Sequence, residues 1–439
     1  MHVNRNLTGL STFQFMSFLR RAIFYAFFYV YLRTYLGLSN TLSALLGTMN
    51  MVGSTVGQLK IWGPRLNRQP EKAKPYVVRG EVIAGCVYFL VYMGHRFLVD
   101  YQMKIVAAFF MISLLSVLEV FWSMSDLGVR HLMARVTEKG DQRGRTIGML
   151  DSFGLLGQVT GFLLSGILYQ DGSGFYGGLI FFLVITFIFS CAAIIQLLFR
   201  GERPDGRVDL PPHINGKGVR SLLKNYQYAT FMFSLLLLII GINSSYQIFY
   251  YYVTNPEGLG FSDQLLSVLL ITFTISGGLV TLLGGKISDI VGRIPVIAVS
   301  GAGASLSYLL FFFMGKQTFI IIAVVYGIQG ACAALVLTIG FSHVADIVPE
   351  DLRGSGFAFF NVIAATGWGL AGFLVGGPVA DTLIATGQTE PLAYRFSFLV
   401  SGMVILVGTI STVAFTKVKG SHRTPGTSLS DESVTLLDA

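Results

Sequence analysis

The chain has 439 residues, of which 53% are hydrophobic and only 12% charged, about half the charged share of a soluble protein. A mean hydropathy of +0.65, with 36 Phe, 19 Tyr and 51 Gly, supplies more apolar side chains than a soluble core of this length can hold. This excludes a soluble enzyme, a disordered chain and a disulfide scaffold, and leaves an all-α integral membrane protein.

A helix needs roughly 20 apolar residues to cross a bilayer. Runs of that length fall at 9–36, 41–62, 77–98, 104–133, 145–169 and 177–199, then at 226–252, 262–285, 295–314, 317–343, 355–382 and 393–416. The pattern predicts twelve transmembrane helices arranged as two six-helix bundles, over 1–200 and 226–418. The segment between them, 201–225, is rich in Pro, Gly and charge and reads as a cytoplasmic linker, and 419–439 reads as a disordered cytoplasmic tail. The first run holds Arg20 and Arg21 and lacks a small-residue cleavage pattern, so it is expected to be a retained helix.

Most of the 31 Lys and Arg fall on one side, for example Arg65, Arg68, Lys72 and Lys74 in one loop and Lys139, Arg143 and Arg145 in another. The positive-inside rule then puts both termini in the cytoplasm. The +8 net charge is therefore a topology signal and gives no case for nucleic acid. Cys86, Cys191 and Cys332 are scattered through apolar segments without metal-ligand spacing, so neither a metal nor a cofactor is expected. Short loops suit a multi-pass protein of a bacterial (inner) plasma membrane.

The halves repeat. RGRTIGMLDSFGLLGQVTGFLLSGILYQD, from Arg143, aligns with RGSGFAFFNVIAATGWGLAGFLVGGPVAD, from Arg353, at a constant offset of 210 residues. Arg143 matches Arg353, Gly157 matches Gly367, Gly166 matches Gly376 and Asp171 matches Asp381. Parallel six-helix repeats of this kind are a transporter design.

The segment GGKISDIVGRIPV (284–296), with Gly285, Asp289, Gly292 and Arg293, resembles the loop signature of the major facilitator superfamily. ADIVPEDLRGSG (345–356) is similar to that family's loop between helices 10 and 11, and the resemblance covers about 9–416. It implies an alternating-access secondary transporter with its substrate cavity between the halves near the midplane. Two readings of the signature stand. Asp289 docks on the N-terminus of the fifth helix, near Thr146, with Arg143 or Arg145 as charge partner, and gates the cytoplasmic side; or Asp289 and Arg293 lie in a solvated turn. In the first half GQLKIWGPRLNR (57–68) keeps Gly57 and Arg65 but has Ile61 where the acid belongs, so gating is expected to be asymmetric.

Ionisable groups inside a membrane are functional candidates by default. On the fourth segment Ser113, Ser116, Glu119, Ser123, Asp126 and Arg130 form one polar stripe at steps of three and four. Glu119 lies near the midplane, where low dielectric disfavours a charged carboxylate, and is the proton-coupling candidate; the alternative is a structural carboxyl paired with an arginine. Asp126 and Arg130 are spaced to pair with each other. On the first segment Gln14, Ser17, Arg21 and Tyr25 share a face, which makes Arg21 the cavity residue, gripping an anion or pairing with Glu119. Arg20 falls with Phe13, Phe24 and Phe27 and is the better candidate for snorkelling to the surface. Gln158, Asn243, Tyr246, Gln329 (at the repeat position of Glu119), Asn361 and Trp368 complete the expected substrate site, each with interhelical packing or hydrogen bonding as the alternative.

Gly148, Gly157, Gly161 and Gly166 resemble the spacing of the family's antiporter motif, but Phe162 stands where its proline belongs, and close packing explains the same glycines. Walker, GxSxG and HExxH motifs are missing, which argues against an enzyme and against ATP drive. The expected protein is a monomer working with a small-molecule substrate, protons and membrane lipids. Its cargo is a small organic anion held by Arg21 and coupled to protons through Glu119, or else a lipophilic drug or amphipathic lipid exported against protons.

Overall fold

The computed structural model describes residues 5–136, 142–199, 216–349 and 352–417, all helix and short connections with no strand among them. The expected tail and residues 201–215 of the expected linker lie outside the described residues, as do the side chains of Arg143, Arg145 and Arg353. Twelve long helices appear: α1 (Arg5–Tyr35), α2 (Asn40–Val56), α3 (Pro70–Asp100), α4 (Lys104–Val136), α5 (Gln142–Leu168) and α6 (Leu179–Leu198), followed by α7 (Tyr226–Thr254), α8 (Asp263–Val291), α9 (Arg293–Phe313), α10 (Phe319–Ile347), α11 (Ser355–Ala385) and α12 (Glu390–Lys417). Eleven of them carry a stretch long and apolar enough to cross a membrane. The exception is α2, which holds Asn40, Ser43, Thr48, Asn50 and Ser54 and runs on through a π-turn, Gly57–Trp62, to Arg68.

The pairing of helices repeats. In the first six, α1 packs on α5 and α6, α3 on α4 and α6, and α2 on α4. In the second six, α7 packs on α11 and α12, α9 on α10 and α12, and α8 on α10, which is the same set moved on by six helices. The seams between the sets are α5 with α8 and α2 with α11. Small residues make the α2–α11 approach possible: a Cβ on Gly369 would sit 2.5 Å from Met51 Cβ, and one on Gly377 would sit 2.6 Å from Thr41 Cα. Thr48 Oγ1 donates to the Gly369 carbonyl across the same seam at 2.7 Å.

Antiparallel alternation gathers the start of α1 and the end of α12 at one face, here the terminal face, and the short loops 36–39, 255–262 and 386–389 at the opposite face. Outward positions are apolar and exposed, among them Phe97, Leu282, Ile290, Val299 and Ile320, as a lipid-facing belt requires. Inside the first six helices an aromatic cluster fixes the packing: Phe24 meets Tyr88, Phe175 and Phe181 edge-on at 5.0–5.5 Å between centroids.

Candidate functional site

A cavity of about 480 Å³ lies between the two sets of helices. One wall is α1, with Arg21, Tyr25 and Tyr29, and α4, with Glu119 and Asp126. The facing wall is α7, with Tyr246, and α11, with Asn361 and Trp368. Polar residues of α2 line the side: Asn50, Ser54, Thr55 and Gln58, at helical spacing. The volume is within the usual range of small-molecule sites, roughly 300–1,000 Å³.

The cavity extends toward the terminal face and is closed toward the opposite one. Asp381, near the end of α11, accepts from the backbone N–H groups of Asn40 and Thr41 at 3.0 and 2.8 Å and from Asn40 Nδ2 at 2.8 Å. The Tyr251 hydroxyl is 2.7 Å from Ser43 Oγ and 3.2 Å from the Tyr29 carbonyl. Gln247 donates to the Asn40 carbonyl at 3.3 Å, and Arg33 pairs with Glu390 at 2.6 Å. These contacts tie α1 and α2 to α7, α11 and α12 in one layer.

Arg21 reaches the cavity, as its helical face predicts, but its partner is Asp126, at 2.7 Å, with the two side chains 35% and 33% exposed. The expected Asp126–Arg130 pair is therefore corrected: the two segments cross where Arg21 meets Asp126, and Arg130 is exposed. Arg20 is corrected too. It does not snorkel; it is 1% exposed and forms a two-pronged ion pair with the fully buried Glu81 of α3. Glu81 also accepts from Ser125 Oγ at 2.6 Å and from Trp122 Nε1 at 3.2 Å. Both guanidinium groups lie against the Trp122 ring, Arg20 at 4.5 Å and Arg21 at 5.3 Å from its centroid. Burying a charge is tolerable only with such partners. The sequence carries a signal for Glu81, since it is an acid within the apolar run 77–98 and an ionisable group inside a spanning segment needs an explanation.

Glu119 faces the cavity and has no hydrogen bond or ion pair among the described residues. Ser116, one turn before it, lies 3.2 Å from Asn50 Oδ1 of α2. Tyr25, Tyr246, Asn361 and Trp368 line the cavity as expected. Asn243 lines a small recess with Tyr29, Tyr246 and Trp368, and its Nδ2 donates to the Ile239 carbonyl at 2.8 Å.

Two expected substrate residues are elsewhere. Gln329, at the repeat position of Glu119, is 2% exposed within the second set of helices, and its Oε1 has no hydrogen-bond partner among the described residues. Its neighbour Gly330 seats α10 directly on the backbone of Phe273 in α8, which fixes the rotation of the helix. Gln158 does not line the cavity, because Gly157 and Gly161 seat α5 on Phe15, Leu19 and Ala22 of α1. Of the glycines that suggested an antiporter motif, Gly157, Gly161 and Gly166 are close-packing contacts, whereas open space surrounds Gly148. Asp289 pairs at 2.6 Å with Arg293 on the next helix, which also pairs with Asp346 at 3.2 Å; Asp289 is 63% exposed.

Residues 10–262 and 228–436 match the family model of the Major Facilitator Superfamily. The chain belongs to the major facilitator superfamily. It is accordingly a multi-pass membrane transporter for small-molecule substrates. No curated protein sequence matches it. Among solved structures it is similar to the nucleoside transporter NupG, at 15% identity and a TM-score of 0.77, covering 94% of this chain and 100% of that one. It is also similar to a bacterial homologue of the human lysosomal transporter Spinster in an inward-facing, unoccupied conformation. That likeness has 15% identity and a TM-score of 0.70, covering 95% of this chain and 98% of the other. At such identity the likeness concerns the fold alone.

Proposed function

We propose that this superfamily member is a proton-coupled secondary transporter of an uncharged or cationic polar solute with a flat ring. Glu119 is the coupling carboxyl, and the halves 1–200 and 226–418 rock about the cavity. The observation that carries this reading is the Arg21–Asp126 ion pair. With Arg21 neutralised by Asp126, the charge left in the cavity is that of Glu119, and an anion has no free guanidinium to bind. Asn50, Ser54, Gln58 and Asn361 supply hydrogen-bonding groups, and Tyr25, Tyr29, Tyr246 and Trp368 supply ring faces, a combination that suits a nucleoside-sized ligand.

Both termini are read as cytoplasmic from the distribution of basic residues, which makes the open terminal face the inward one. In the alternate state Asp289 leaves Arg293 and docks on the N-terminus of α5, holding that face shut with Arg143 or Arg145. The membrane is taken to be a bacterial inner membrane. A second reading, proton-driven export of a lipophilic drug or amphipathic lipid, is favoured by the four aromatic rings of the lining.

The test is thermal stabilisation of the purified protein by nucleosides, organic cations, organic anions and lysolipids, followed by uptake of any stabilising compound into proteoliposomes under an imposed pH gradient. Stabilisation by nucleosides or cations with pH-driven uptake supports the reading. Stabilisation by anions alone, lost in Arg21→Ala, overturns it.

A further inference from the structure

A second concavity, about 570 Å³, lies away from the transport cavity, on the outer side of α4 between α3 and the end of the α2 segment. It is polar at one end and apolar at the other. Arg65 and Arg79 line it with Trp62 and Tyr76, and Val82 and Phe121 continue it deeper along α3 and α4. Trp62 is held in place by its indole N–H, which donates to the Val120 carbonyl at 2.5 Å, and Arg65 lies over its ring at 5.0 Å.

Arg79 is the unusual residue. It is exposed on the outer surface of α3, as the third residue of the apolar run 77–98. A run of that length covers the roughly 30 Å hydrocarbon layer, so Arg79 falls near its edge, within reach of lipid phosphates. Neither Arg79 nor Arg65 has an ion pair or side-chain hydrogen bond among the described residues. An unpaired guanidinium facing lipid is costly, and a long side chain relieves the cost by reaching a phosphate at the interface. The surroundings have one sign: between Gly57 and Gly80 lie Lys60, Arg65, Arg68, Lys72, Lys74 and Arg79 against the single acid Glu71.

We propose that the groove between α2, α3 and α4 binds one anionic phospholipid, its phosphate held by Arg65 and Arg79 and its acyl chains lying along Val82 and Phe121. The planar forks of two arginines suit a phosphate, and basic pockets between transmembrane helices are known to take anionic headgroups. An apolar groove continuing into the membrane from that headgroup site selects a lipid over a free anion.

The experiment is native mass spectrometry of the delipidated full-length protein titrated with phosphatidylglycerol, phosphatidylcholine or inorganic phosphate, with a thermal-shift titration in parallel. The expected result is one retained phosphatidylglycerol in the wild type. Its apparent affinity falls about tenfold or more in R65Q/R79Q and is unchanged in K60Q, which removes a charge outside the groove. V82W, which fills the apolar end and leaves both arginines, is expected to weaken lipid binding as well, so the outcome does not rest on one fold-sensitive variant. Equal retention by wild type and R65Q/R79Q, equal affinity for phosphatidylcholine, or the same stabilisation by inorganic phosphate alone would overturn the proposal.

Discussion

Asp381 on α11 accepts hydrogen bonds from the first two backbone N–H groups of α2, those of Asn40 and Thr41, at 3.0 and 2.8 Å. These groups have no partner within their own helix, and the positive end of the helix dipole favours a carboxylate there. The contact joins the two sets of helices at the face where the cavity is closed. Asp381→Asn keeps the shape and removes the charge. It is expected to weaken the closed layer by about 1–2 kcal/mol, which favours opening of that face five- to thirtyfold. Maleimide labelling of Leu38→Cys, a buried position beside the α2 N-terminus, in a background without the native cysteines should speed up accordingly. Unchanged labelling would mean that the other contacts of the layer hold it alone.

The same seam offers a steric test. Gly377 packs so tightly on Thr41 that a side chain needs the backbones to separate. Gly377→Val is expected to shift the protein toward opening at the opposite face, at a cost of roughly 1–3 kcal/mol to the closed form. Accessibility of Leu38→Cys reads this too, and Gly148→Ala, where open space surrounds the position, serves as the silent control.

Glu81 and Arg20 predict a stability effect unlike that of Asp126 and Arg21. Glu81→Gln leaves Arg20 as a buried, uncompensated charge and should destabilise by about 3–5 kcal/mol, read as a large fall in Tm. The double change Arg20→Met with Glu81→Leu should recover most of that loss, because apolar replacement of a buried pair is close to neutral. Arg21→Ala, at a part-exposed pair, should cost no more than about 1 kcal/mol.

Glu119→Gln tests coupling directly. Proteoliposomes with this variant should lose accumulation driven by a pH gradient and keep substrate exchange at equal pH on both sides. Full pH-driven accumulation by the variant would remove Glu119 from the coupling role.

The residues that were legible in the sequence share one property: their placement follows from the helix carrying them. The 3.6-residue period put Arg21 and Tyr25 on one face and Arg20 on another, and both cavity residues are where that face points. Glu119 follows in the same way from its depth and its polar face. The polar stretch of α2 is not among the expected site residues, although Asn50, Ser54 and Gln58 are spaced by four residues and share one helical face.

Sequence by itself determined that the chain is an integral membrane protein, eleven of its spanning segments, the repeat at an offset of 210 residues and the faces of α1 and α4, since hydropathy and helical period are local. Only the tertiary structure decided which charges meet. Arg20 found Glu81, 61 residues away, and Arg21 found Asp126, 105 residues away, because the partner of a charge inside a membrane depends on the rotation and depth of neighbouring helices. Glycine seats set that rotation by letting backbones touch. The repeat therefore matched Glu119 with Gln329 in sequence, while the packing of Gly330 on Phe273 left Gln329 buried and only Glu119 at the cavity.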